Sequence, residues 1–126
     1  MFKNIYFTVL IAFLTLVSCE ENDNTNNDEV IIVCNTQEPL QDLGFLKDAK
    51  NTIDAIDCGG RSSITQFTYN SETVFEVIIC DQISDGQTLV YNCAGETICT
   101  FGGIVGANTC VDFEKLRTDK IILYGN

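Results

Sequence analysis

Apolar and polar residues divide the chain into four regimes. Ile5 to Val17 is a run of thirteen residues without a charge, preceded by Lys3, which has the form of the n-region and h-region of a secretory signal. As a helix the run would be about 20 Å long, short of the roughly 30 Å hydrocarbon core of a bilayer. It therefore predicts a signal and not a stable transmembrane anchor. Glu20 to Glu29 follows with no apolar side chain at all. Its like charges keep it extended, and it predicts a solvated, disordered tether.

In the third regime the apolar period is that of a helix. Between Pro39 and Asp57, Leu43, Leu46, Ile53 and Ile56 recur at successive spacings of three, seven and three, while Asp42, Lys47, Asp48, Lys50 and Asp54 fall elsewhere. Gly59-Gly60 is the expected stop, and Gly44 weakens the first turn enough that the helix can begin as late as Gly44 or Phe45. After Gly60 the period becomes two. Ser63 to Tyr69 and Thr73 to Cys80 predict a hairpin around Asn70-Ser71-Glu72; Thr88 to Cys93 and Thr97 to Phe101 predict a second around Ala94-Gly95-Glu96. Gly102 to Asn108 is expected to be a flexible loop, Val111 to Arg117 a short helix and Lys120 to Tyr124 a last strand. The fold class expected is α+β: one N-terminal amphipathic helix packed on an antiparallel β-meander of four to five strands, stabilised by disulfides. The domain boundaries expected are a signal over 1–18, a tether over 19–29 and one folded domain over 30–126.

The apolar leader ends Leu16-Val17-Ser18-Cys19, which resembles the lipobox of bacterial lipoproteins. The thiol of Cys19 must be free to take a diacylglycerol, and the signal peptidase needs a small residue, here Ser18, on the other side of the scissile bond. The resemblance implies cleavage before Cys19 and three acyl chains on that residue; two or more chains hold a protein to a membrane stably. The acidic run behind Cys19 also resembles the surface-export signal of Bacteroidota lipoproteins, which implies an outer-membrane, surface-exposed address.

Six further cysteines, Cys34, Cys58, Cys80, Cys93, Cys99 and Cys110, form an even set in an exported domain and argue for three disulfides. If Asn70 to Glu72 is the turn, paired residues sum to about 142, which sets Cys80 near Cys58 and favours that pair. Cys99 with Cys110 would close the glycine-rich loop and leave Cys34 with Cys93; Cys93 with Cys99 across the second hairpin is the rival. Successive spacings of 24, 22, 13, 6 and 11 contain no Cys-x-x-Cys knuckle, which argues against zinc. No metal and no cofactor is expected.

The formal charge is −11, and loss of Lys3 with the leader would leave six basic and eighteen acidic side chains, or −12. Such a surface repels nucleic acid and attracts basic proteins, basic peptides or cations. The sequence has no histidine, which removes the Ser-His and Cys-His nucleophile systems. Glu72 with Glu76, and Asp112 with Glu114, are the nearest approaches to a carboxylate pair, and a solvated face is the simpler account of both. Gly102 to Gly106 lacks the lysine and strand-loop-helix context of a phosphate loop. Asp81 to Gly86 has a distant likeness to a calcium loop, with Ile83 at a ligand position and Asn92 where the bidentate glutamate should stand. Phe67, Tyr69, Phe75, Tyr91 and Phe101 are expected mainly in the core, with Tyr69 the most exposed.

Leu43-Gly44-Phe45-Leu46, Phe67 to Phe75, Val90 to Cys99, Gly102-Gly103-Ile104 and Cys110 to Phe113 together resemble an uncharacterised domain-of-unknown-function family of Bacteroidota lipoproteins. Gly44 departs from that pattern, which has a proline or tryptophan region there. The resemblance implies a fold and an address but no catalytic residue. The expectation is a non-enzymatic, lipid-anchored binding module. The alternative is an inhibitor of a basic hydrolase such as a lysozyme, or a shield against cationic peptides.

Overall fold

The computed structural model describes residues 32–125; Leu16, Val17, Ser18 and Cys19, the leader and the tether over 19–29 lie outside the described residues. Strands β1 (Ser63–Tyr69) and β2 (Glu72–Ile78) pair antiparallel, with Ser63 facing Ile78 and Tyr69 facing Glu72. Only Asn70 and Ser71 connect them, at φ 51° and 66°. Two successive left-handed residues make the tight turn whose twist matches that of the flanking strands. The turn is one residue shorter than the sequence suggests because Glu72 is already paired. Strands β3 (Gln87–Asn92) and β4 (Thr97–Gly102) form the second hairpin. Its turn is held by the Asn92 side chain, which accepts from the N–H groups of Ala94 and Glu96.

Two further strands complete a six-stranded sheet, β5 (Ala107–Asn108) and β6 (Thr118–Gly125). The order is β5-β4-β3-β2-β1-β6, antiparallel throughout. The meander expected from the sequence holds for β1 to β5. It fails for β6, which crosses back to the free edge of β1. The crossing segment contains a short helix, α3 (Phe113–Leu116), whose Phe113 is fully buried and carries the chain across one face of the sheet.

The single helix expected over Pro39 to Asp57 is two, α1 (Pro39–Asp42) and α2 (Gly44–Ala55). Leu43 between them has extended backbone, φ −88° and ψ 106°, and the break lets both Leu40 and Leu43 pack against the core. The helix stops at Ala55, where Ile56 is extended, so Gly59-Gly60 lies beyond the stop instead of forming it.

Strand alternation gives the sheet two apolar faces. On the first, α2 places Leu46 against Ile64, Phe75 and Val77, and the Phe45 ring packs edge-on to Phe75 at 5.9 Å and beside Tyr91 at 5.3 Å. A register shift in β6 between the partners of Ile64 and Thr65 lets Leu123 and Tyr124 both join this layer. On the second face Phe113 is the hub, with Phe67, Tyr69 and Phe101 at 6.0, 5.0 and 5.6 Å and Val74, Val90 and Cys99 beneath. Tyr69 is therefore half-buried, not the exposed aromatic that its place beside the turn suggests.

Three disulfides tie the described chain: Cys34 to Cys93, Cys58 to Cys80, and Cys99 to Cys110. They join the segment before α1 to the end of β3, the segment after α2 to the end of β2, and β4 to the far side of the glycine-rich loop. That loop is not structureless: Gly103 donates to the Gly86 carbonyl and Ala107 to Asn108 pair with β4. Its Ile104 and Val105 are exposed at the tip.

Candidate functional site

The second face of the sheet changes character half-way across. One cross-strand row runs Cys99, Val90, Glu76, Thr65, Ile122, from β4 to β6, with neighbours in such a row about 5 Å apart. Cys99 and Val90 lie beneath Phe113 in the aromatic cluster. From Glu76 onward α3 no longer covers the row, and a groove of about 270 Å³ opens there. Its floor is Ser63, Thr65 and Glu76, Ile78 and Ile122 flank it, and Arg61, Arg117 and Lys120 bring cations to its rim.

Glu76 is only 8% exposed, and a carboxylate so placed needs a partner. Phe113 supplies one indirectly. With its ring buried it fixes α3, and Arg117, four residues on, extends over the same face. The guanidinium stacks over Phe67 at 4.3 Å and Phe113 at 5.2 Å, and its Nη1 donates to Glu76 Oε1 at 2.8 Å. Nη2 donates to Glu114. Burial nonetheless holds the Glu76 carboxyl above the usual glutamate range; the Glu114 charge adds to the rise, against the opposing pull of Arg117 and Lys120. Glu76 Oε2 makes no hydrogen bond among the described residues, nor does the hydroxyl of Thr65, a residue only 4% exposed.

The groove's outer end is a closed ion pair. Arg61 donates to Asp81 through its backbone N–H at 2.8 Å and its Nε at 2.9 Å, and these bonds pull the Asp81 carboxyl below its ordinary range. Both oxygens of the first acid of the calcium-like loop are thereby occupied. Among the described residues no three cysteine, aspartate or glutamate side chains gather as a metal site would require. Glu72 and Glu76 share a face, but four residues of strand set them about 13 Å apart, beyond the separation of a glycosidase pair. Glu114, the partner of Asp112 in the other candidate pair, is committed to Arg117. A larger depression of about 590 Å³ lies at the end of α2 beside Gly59-Gly60. Of its two acids, Asp54 is taken by Lys50 at 2.7 Å and by the Tyr124 hydroxyl, and Asp57 is exposed to solvent; the depression holds no buried charge, unlike the groove.

Residues 57–126 match the family described as "Domain of unknown function (DUF6970)", which is more than half of the chain. The chain belongs to this family. No curated protein and no solved structure matches it. The DUF6970 match takes in every strand, α3 and the whole groove. Helix α2 and Cys34 lie before it, although α2 covers the first face and Cys34 is bonded into the matched segment. Among the described residues no helix is long and apolar enough to cross a membrane.

Sequence reasoning considered Glu76 only as a chance neighbour of Glu72, and passed over Thr65, Arg117 and Lys120. One signal was available. In Val74-Phe75-Glu76-Val77-Ile78 a lone charge sits at a period-two position between Val74 and Ile78, both on the same face, and a charge so placed in a strand calls for a cation from elsewhere in the chain.

Proposed function

We propose that this protein is a bacterial lipoprotein whose folded domain is a non-catalytic binding module of the cell envelope. Cleavage before Cys19 leaves that residue lipidated; residues 19–29 tether the domain, 30–126, to the outer membrane and display it at the cell surface. The observation that carries this reading is the fate of the cysteines. Six of the seven in the sequence are joined in three disulfides, and Cys19, directly behind a charge-free run, has no mate among them. Disulfides persist in oxidising compartments, and a lone thiol behind a leader is the substrate that lipidation needs. The absence of histidine from the sequence and the commitment of Glu76 to Arg117 favour binding over catalysis.

Intact-mass analysis of the natural product tests the anchor. The expected product has lost residues 1–18 and carries acyl chains on Cys19, and Cys19→Ala abolishes both changes. An unmodified amino terminus, or a retained leader, overturns the reading. Cross-linking on intact cells, compared with the Cys19→Ala form, then identifies what the domain touches.

One observation favours the inhibitor reading. Arg61, Arg117 and Lys120 line the groove, so only Lys47, Lys50 and Lys115 offset the acids on the rest of the described surface. That surface is suited to a basic hydrolase or a cationic peptide. Titration with a lysozyme at low ionic strength decides the matter: the absence of salt-sensitive binding removes it.

A further inference from the structure

We propose that the groove over β2, β1 and β6 binds a small zwitterion of the amino-acid class, its ammonium at Glu76 and Thr65 and its carboxylate at Lys120. This specificity rests on the domain being a binding module, but not on the lipid anchor.

Three acceptors line the groove floor. Glu76 Oε2 and the hydroxyls of Thr65 and Ser63 have no hydrogen-bond partner among the described residues, and all three residues line the groove. Thr65 and Glu76 are cross-strand partners, and Ser63 is the next residue of β1 on the same face. An ammonium has three donors and no acceptor, which fits that set. Arg117 cannot answer the need further, because it is shared with Glu114 and pinned on two rings. Burial raises the proton affinity of Glu76 in spite of Arg117, so a second cationic donor at Oε2 would stabilise the carboxylate further.

The opposite pole is Lys120. Lys50, Arg61 and Arg117 are each in an ion pair, whereas Lys120, exposed on the groove rim, has none among the described residues. Ile78 and Ile122 flank the space between the poles and suit a short aliphatic side chain. A volume of about 270 Å³ falls just below the range of drug-sized pockets, which begins at about 300 Å³. The lining sets the acids Glu76 and Asp81 beside the cations Arg61, Arg117 and Lys120, and a molecule with both charges matches that mixture better than an ion of one sign.

A free amino acid and the end groups of a short peptide share this chemistry. The test is an NMR titration of the intact, oxidised protein with alanine, trialanine, N-acetylalanine and alanine methyl ester. Amide shifts are expected around Thr65, Glu76, Lys120 and Ile122 with alanine or trialanine, whichever of the two is the source. Masking either charge should weaken binding about ten- to a hundredfold, the usual worth of a charged hydrogen bond. Glu76→Gln should weaken binding as much as N-acetylation does. Lys120→Ala, at an exposed position where folding is not at stake, should weaken binding of the acid but not of the methyl ester. The proposal is overturned if neither zwitterion shifts these amides up to its solubility, or if N-acetylation of the one that binds leaves its affinity unchanged. Such a failure leaves the mass of the amino terminus, and the anchor read from it, unaffected.

Discussion

The two faces of the sheet are built from the same six strands but are finished differently. The first is covered by α2, twelve residues long, and apart from Gln66 its buried layer is apolar. The second is covered by α3, only four residues, which seals the β3–β4 side around Phe113 and leaves the β1–β6 side open. The one buried carboxylate among the described residues, and three cations, gather where that cover runs out. A complete lid makes a core, and an incomplete lid over the same strand alternation makes a groove.

Removing a ring from each face should break the comparison most sharply. Phe75→Ala and Phe113→Ala are each expected to cost about 3–5 kcal/mol, since both side chains are fully buried, measured by urea denaturation. Only Phe113→Ala should also release Arg117 and shift the Glu76 titration in NMR. A loss below about 1 kcal/mol for Phe113→Ala, well under the roughly 2–5 kcal/mol that truncating a buried aliphatic side chain to alanine costs, would mean that the second face contributes no core.

The disulfides come next. They separate residues by 59, 22 and 11 positions, and the chain-constraint relation gives about 4, 3.5 and 3 kcal/mol in that order. Paired Cys→Ala changes at Cys34 and Cys93 should therefore lower the urea midpoint most. An equal loss at all three bridges would point to local strain instead of chain entropy.

Arg117→Ala is expected to cost about 2 kcal/mol, less than for a fully buried pair because Arg117 and Glu76 keep 20% and 10% side-chain exposure. Arg117→Met combined with Glu76→Leu should recover most of it, because two apolar groups need no compensation. If the double change is as damaging as the single one, packing of the guanidinium on Phe67 dominates the pair.

The smallest expected effects are in pH dependence, and they have opposite signs. Glu76 has a raised proton affinity in the folded state. Its contribution is fully present below its unfolded value and is lost as pH rises through the raised one. Asp81 is depressed by Arg61; its contribution is present above its unfolded value and is lost as pH falls through the lowered one. Relative to Glu76→Gln, the wild type should gain stability on acidification; relative to Asp81→Asn it should lose it. Parallel trends from denaturation at a series of pH values would refute the assignment.

Local order was readable from residue order. The switch from a period near 3.6 to a period of two after Gly60, and the turn residues Asn70-Ser71-Glu72 and Ala94-Gly95-Glu96, delimit β1 to β4 to within a residue or two, because propensity and turn chemistry act between near neighbours. The same alternation carried the hairpin arithmetic that drew Cys80 towards Cys58, and the structure joins them. The weak helix propensity of glycine allows the helix to begin as late as Gly44 or Phe45, and α2 begins at Gly44. The break at Leu43 itself depends on packing and was not visible.

What only the tertiary structure decided is everything that joins distant segments. The return of β6 to β1, the use of Phe113 as a second lid and the delivery of Arg117 to Glu76 across 41 positions follow from which apolar surface remained uncovered once the first five strands had paired. No local pattern encodes that remainder, since it is set by burial summed over the whole sheet. Strand positions and turns belong to the sequence read alone, and the groove belongs to the fold.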